Sequence, residues 1–108
     1  MTAPATLRSA LFHCQQAAEK SLKTFLTWHQ RPFPKTHDLR VLSSPCSQVD
    51  ASLEAAVAPA LALTRFAVAM RDPGETEDPS IAEVRESLAI ARAIFVAVCS
   101  RLPRETRP

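Results

Sequence analysis

The sequence predicts an all-α fold, and two observations support this prediction. Strand-forming patterns are missing: the 108 residues include no Tyr and one Gly, and alternating apolar and polar runs do not occur. Apolar residues instead recur every three or four positions, as on one face of a helix. The length suits a single domain, expected over residues 1–102, with residues 103–108 as a disordered tail. The first apolar series is Leu7, Leu11, Cys14, Ala18, Leu22 and Phe25.

The first helix is expected over residues 5–28. Pro4 suits the first turn of a helix, where a missing N–H breaks no hydrogen bond. Pro32 and Pro34 prevent the helix from continuing. The side opposite the apolar series carries Gln15, Gln16, Glu19, Lys20 and Lys23.

A short second helix is expected over residues 37–42. Thr36 is a favourable N-cap, and Leu39 and Leu42, three positions apart, would anchor the helix to a bundle. The Ser-Ser-Pro run at residues 43–45 is expected to end it.

A third helix is expected from Asp50 or Ser52, either of which can cap it, to about residue 71. Pro59 lies inside this stretch and removes one helical hydrogen bond, at a cost of about 3 kcal/mol. We therefore expect a kink at Pro59, or a new helix that starts there.

The last helix is expected over residues 81–102, after a capping box formed by Ser80 and Glu83. Its pattern predicts one buried stripe, in which Leu88 and Phe95 each contribute about 1.5–3 kcal/mol. Leu88→Asp should then prevent folding. The stripe consists of Ile81, Val84, Leu88, Ala91, Phe95, Val98 and Leu102.

Charge and cysteine content argue against several classes of protein. Thirteen basic and eleven acidic residues give a net charge of +2, which makes no case for a nucleic-acid partner. Three scattered cysteines predict free thiols in a reducing cytoplasm, and the histidines have no metal-ligand spacing. Neither a signal peptide nor a membrane-spanning stretch is evident. A Gly-rich phosphate loop cannot form in a chain with one glycine. We expect no cofactor and no metal.

Four segments in order resemble the HEPN family of small all-helical bacterial domains. Residues 10–23, with QQAAEK at 15–20, are similar to the signature helix of the family, and THDL at 36–39 resembles its Thr-His-Asp-Leu segment. Residues 63–71 resemble the helix that ends in an Arg-Tyr-Pro corner, and the last helix follows. The resemblance implies an up-and-down helical bundle in which the usual first helix is missing or shortened. Such a bundle leaves an apolar groove open, so we expect a homodimer or a partner complex.

The resemblance also implies a function. It indicates a non-catalytic nucleotide- or substrate-binding module that acts with a small nucleotidyltransferase, which supplies the metal-binding carboxylates. The candidate residues of the binding site also have explanations that need no ligand. The lysines could solvate a helix face, His37 could cap or pack against a helix, and Arg71 could stabilise the end of a helix. The ligand cleft is expected to contain Gln15, Glu19, Lys20, Lys23, His37 and Arg71.

A ribonuclease branch of the family, which includes toxins of toxin–antitoxin pairs, places a histidine after an arginine with four to six residues between them. Arg71 opens this motif, but Thr76, Glu77 and Asp78 stand where the histidine should be. Acidic residues there would repel a phosphate backbone, so an enzyme is not the first expectation. Toxins silenced by adenylylation of a tyrosine are no model either, because the chain has no Tyr. The alternatives are a toxin-like ribonuclease that uses Arg71 and His37, or a purely structural interaction protein.

Overall fold

The computed structural model describes residues 4–59 and 80–103, and every regular element within these ranges is helical. The all-α prediction is confirmed. α1 packs along α4 and against α2, and α3 packs against α4. The elements are α1 (Pro4–Trp28), α2 (Leu39–Val49), a 3-10 helix (Ala51–Leu53), α3 (Glu54–Val57) and α4 (Ile81–Cys99).

α1 forms the centre of the core, as its apolar spacing predicts. Ala18, Leu22, Phe25 and Leu26 are completely buried. Beyond Trp28 the chain turns away through Gln30, whose φ of 56° lies in the left-handed region. One face of a single long helix therefore carries much of the apolar contact that holds the domain together.

α2 is longer than predicted, because the chain continues as a helix through Pro45. The proline cannot donate to the carbonyl of Val41, but Val41 is exposed and water can satisfy that oxygen. Leu39, Leu42 and Cys46 are fully buried on the other side. Their packing outweighs the cost of the proline, which is why the predicted end at residues 43–45 is wrong.

The N-cap of α2 also differs from the prediction. Asp38, rather than Thr36, caps the helix: its Oδ1 accepts a hydrogen bond from the backbone N–H of Arg40 at 2.9 Å. Thr36 acts one step earlier, since its Oγ1 accepts from the N–H of Asp38 at 3.0 Å. The two side chains together fix the backbone on both sides of His37.

The third predicted helix is present only as a short beginning in the described residues. Asp50, one of the two expected caps, caps the 3-10 helix that leads into α3, with Oδ1 accepting from the N–H of Ser52 at 2.9 Å. α3 ends at Val57, two residues before Pro59, in agreement with a break at that proline. The remainder of the predicted helix, including Arg71, lies outside the described residues.

α4 begins with the predicted capping box. Ser80 Oγ accepts from the N–H of Glu83 at 3.0 Å, and Glu83 Oε1 accepts from the N–H of Ser80 at 2.8 Å. The helix ends at Cys99. Arg101 then connects this end to the 3-10 helix, since its Nε lies 3.0 Å from Asp50 Oδ2.

The buried face of α4 differs from the predicted stripe. Ala91 and Val98 are buried as expected, but Leu88 and Phe95 are 48% and 39% exposed, and Ile94 is buried in their place. Neighbouring positions lie about 100° apart around a helix, and α4 has apolar residues on both faces. The sequence pattern therefore does not determine which face of α4 is buried. Because Leu88 is half exposed, Leu88→Asp is no longer expected to prevent folding.

No helix in the described part of the chain is long and apolar enough to cross a membrane.

Candidate functional site

The site predicted on α1 meets the loop before α2 at His37. Nδ1 of His37 lies 2.9 Å from Oε2 and 3.1 Å from Oε1 of Glu19. The Glu19 side chain is only 11% exposed, whereas that of His37 is 72% exposed. A largely buried carboxylate thus holds an imidazole ring that faces solvent.

Two further side chains of α1 complete the arrangement. Lys23 Nζ lies 3.0 Å from Oε2 of Glu19. Gln15, which is buried, donates from Nε2 to the backbone carbonyl of His37 at 3.0 Å. We call Gln15, Glu19, Lys23 and His37 the polar cluster.

Local sequence explains why these residues meet. Positions 15, 19 and 23 are four apart, so their side chains form one row along α1. His37 is placed opposite this row because Asp38 caps α2 and Leu39 is buried immediately after it. The row and the cap together give His37 a defined position.

The electrostatics of Glu19 are set by its partners. Burial by itself would raise the pKa of this carboxyl, but hydrogen bonds from Lys23 and His37 outweigh burial and lower its pKa below the ordinary value. Glu19 is therefore ionised at neutral pH.

An ionised carboxylate can only accept hydrogen bonds, so Nδ1 of His37 carries a proton and donates to Glu19. In the neutral ring Nε2 is then an acceptor, and on protonation it becomes a second donor. Within the described residues Nε2 forms no hydrogen bond. The ring thus presents one fixed nitrogen that can bind a ligand or exchange a proton.

Gln15 carries an unsatisfied group: its Oε1 is buried and accepts no hydrogen bond from a described residue. Such an acceptor costs about 1–3 kcal/mol. The sequence pattern placed Gln15 on the polar side of α1, and did not indicate that it would be buried against the backbone of His37.

Two of the six predicted cleft residues do not join the polar cluster in the structure described. The side chain of Lys20 is exposed and forms no hydrogen bond or ion pair with any of the four residues. Arg71 lies outside the described residues. The structure therefore brings together Gln15, Glu19, Lys23 and His37, and the role of all six as ligand contacts stays a prediction.

A second surface feature is an open groove of about 430 Å³ between α1 and α4. Leu88 and Phe95 line it, together with small residues of α1 and the longer side chains of His13 and Arg92. Sequence reasoning expected an open apolar groove but gave no role to these two polar residues. The surplus of apolar positions on α4, beyond one buried stripe, was the available signal.

Metal ligands are not grouped in the described part of the chain: no set of three or more His, Cys, Asp or Glu side chains is placed to hold an ion.

The comparison with protein-family models identifies the chain. The model described as HEPN domain matches residues 5–102. The chain belongs to the HEPN family. The match includes α1 and its polar cluster, the segment that carries His37, and α4. Membership of the HEPN family implies a nucleotide-related or ribonuclease-like function. Comparisons with curated proteins and with solved structures gave no significant match.

Proposed function

We propose that this HEPN domain is a non-catalytic nucleotide- or substrate-binding module that acts with a small nucleotidyltransferase. The observation that carries the proposal is the exposed imidazole of His37, fixed by the buried carboxylate of Glu19 at 2.9 Å. Fixing a ring before a ligand arrives reduces the entropy lost on binding. A solvated ring that served only solubility would need no such support.

The charges around the ring suit a phosphate group. The charges of Glu19 and Lys23 offset each other, so this pair leaves no net negative charge beside the His37 ring. Lys20, exposed three positions before Lys23, adds a second cation to the same surface of α1. Among the described residues of the polar cluster and Lys20, a nucleotide phosphate that approached His37 would meet two lysines and no unpaired carboxylate.

The state of Glu19 supports the proposed division of labour with a partner. Both of its oxygens already accept hydrogen bonds, from His37 and Lys23. Such a carboxylate is poorly suited to hold a magnesium ion, which prefers free oxygen ligands. The carboxylates that bind metal for nucleotidyl transfer would then come from the transferase.

Calorimetric titration with ATP, GTP, CTP and UTP tests the binding module. At least one nucleotide should bind saturably, and His37→Ala and Lys23→Ala should each weaken binding about tenfold or more, since a hydrogen bond to a charged group contributes about 1.5–3 kcal/mol. Lys35→Ala is the matched control, because Lys35 is an exposed cation outside the polar cluster. Absence of binding by all four nucleotides, or equal binding by His37→Ala, would contradict the proposal and favour a structural interaction protein.

Magnesium dependence tests the division of labour separately. If the partner supplies the metal site, the affinity of the isolated domain for a nucleotide should not increase when magnesium is added. Binding that requires magnesium would contradict this division of labour.

A second candidate function is ribonuclease-like cleavage, favoured by the same Glu19–His37 contact. A carboxylate that fixes the Nδ1 proton leaves Nε2 available as a general base, and Arg71 could hold the scissile phosphate. Cleavage of a fluorescent RNA substrate in the presence of EDTA, lost in both His37→Ala and Arg71→Ala, would establish this candidate. Activity that survives in either variant would reject it.

A further inference from the structure

The floor of the groove between α1 and α4 is apolar, unlike the surface formed by the polar cluster. Leu88 and Phe95 remain 48% and 39% exposed there, and Ala10, Ala17 and Ala91 leave room beside them. Large apolar side chains that line one concave surface are typical of sites where another chain docks.

The rim of the groove is basic. Arg92 lines it, and Arg85, seven positions earlier, lies on the same side of α4. Both are exposed and form no ion pair with a described residue, whereas Arg40 and Arg101 are paired with aspartates. The lining residues in the described part of the chain include no acidic side chain.

This charge distribution distinguishes between two occupants. A second copy related by a two-fold axis would place the same patch face to face, so Arg92 and Arg85 would meet cations, and the described lining residues supply no carboxylate to offset them. A partner segment with carboxylates beside its apolar residues would meet complementary charge. The rim therefore favours an acidic partner over a second copy.

The dimensions suit a helix. The lining residues of α4 extend from Val84 to Phe95, or about 16 Å at a rise of about 1.5 Å per residue. An amphipathic helix of three turns has this length and presents apolar residues at positions i, i+3, i+4 and i+7.

We propose that the groove between α1 and α4 binds an amphipathic helix of a partner protein that carries acidic residues beside its apolar face. This inference is independent of nucleotide binding, because none of the lining residues belongs to the polar cluster.

Two matched peptides test the proposal. Both are helix-stabilised, fluorescein-labelled and about 14 residues long, with leucines on one face, and they differ in whether Glu or Lys flanks the leucines. Fluorescence anisotropy should show saturable binding of the Glu peptide, weakened by salt, and at least about tenfold weaker binding of the Lys peptide.

Three variants locate the site. Arg92→Glu should weaken the Glu peptide about tenfold and strengthen the Lys peptide, since the new carboxylate cancels the remaining positive charge of the rim. Leu88→Gln should weaken both peptides, because it removes apolar floor at a half-exposed position that does not support the fold. Lys35→Glu, which changes net charge equally but lies outside the groove, should leave both affinities unchanged.

Equal affinity for the two peptides, or no binding of the Glu peptide, would overturn the proposal. It would also be overturned if sedimentation equilibrium showed a dimer of the unmodified protein that Leu88→Gln converts to monomer, since the occupant would then be a second copy.

Discussion

At the scale of single residues, Glu19 determines how the candidate site behaves. Its largely buried carboxylate joins α1 to the His37 segment and receives hydrogen bonds from both His37 and Lys23. The row of residues 15, 19 and 23 could be predicted from helix periodicity. Its contact with His37 could not be predicted from local sequence, because His37 lies 18 positions after Glu19 and reaches it only through the packing of α2.

The lowered pKa of Glu19 predicts an acid-sensitive contact. Ionised Glu19 stabilises the fold above the pKa of an unfolded Glu, about 4.3, and this contribution is lost as pH falls through the lower native value. Glu19→Gln should therefore cost about 1–2 kcal/mol of unfolding free energy at neutral pH, and less in acid. Urea unfolding of both proteins across this pH range measures the difference, and a constant difference at every pH would contradict the assignment. In Glu86→Gln, an exposed control, the stability should not change.

Cys46 provides a second test at this scale. Burial raises the pKa of its thiol to about 12, and Sγ points at the carbonyl of Leu22 at 3.8 Å. At about pH 8 its thiolate is scarce and inaccessible, so alkylation should require unfolding. Mass spectrometry after a short pulse of iodoacetamide should find Cys99, which is partly exposed, modified well before Cys46. Equal rates for the two cysteines would show that α2 does not pack as described.

At the scale of elements, periodicity identified the helices better than it identified their faces or ends. α1 matches its prediction because one face is apolar and the other is charged. α4 is apolar on two faces, so the stripe that included Leu88 and Phe95 was as good a choice as the one that includes Ile94. The sequence predicts too short a second helix, because the buried contacts of Leu42 and Cys46, which offset the cost of Pro45, are not visible in the local sequence.

Paired substitutions in α4 test which face is buried. Ile94→Ala should destabilise the protein by about 2–5 kcal/mol, because Ile94 is fully buried. Leu88→Asp should remain folded and helical, because Leu88 is half exposed. Circular dichroism measures the helicity of the two variants, and urea unfolding measures their stability. A larger loss of stability in Leu88→Asp than in Ile94→Ala would instead support the buried face predicted from the sequence.

Pro45 tests the continuity of α2. Replacement by Ala supplies an N–H that can reach the carbonyl of Val41 and removes the ring, so stability should increase by about 1–3 kcal/mol. Pro32→Ala, in the exposed loop after α1, is the control and should change stability by less than about 0.5 kcal/mol. A clear loss of stability in Pro45→Ala would mean that the helix is not continuous there.

At the scale of the whole molecule, the described HEPN domain presents two separate surfaces. The polar cluster lies where α1 meets the residues before α2, and the apolar groove lies between α1 and α4. α1 contributes to both, with Gln15, Glu19 and Lys23 in the cluster and His13 in the groove. One small domain could therefore hold a ligand and a partner at the same time without competition between them.

The central claim is that the fixed ring of His37 contacts a nucleotide. The most direct measurement follows the imidazole proton resonances of the three histidines by NMR while nucleotide is added. We predict that the His37 resonance shifts saturably, with the dissociation constant found by calorimetry, while His13 and His29 do not respond. Nucleotide binding that leaves His37 unchanged, or that shifts all three histidines alike, would contradict the claim.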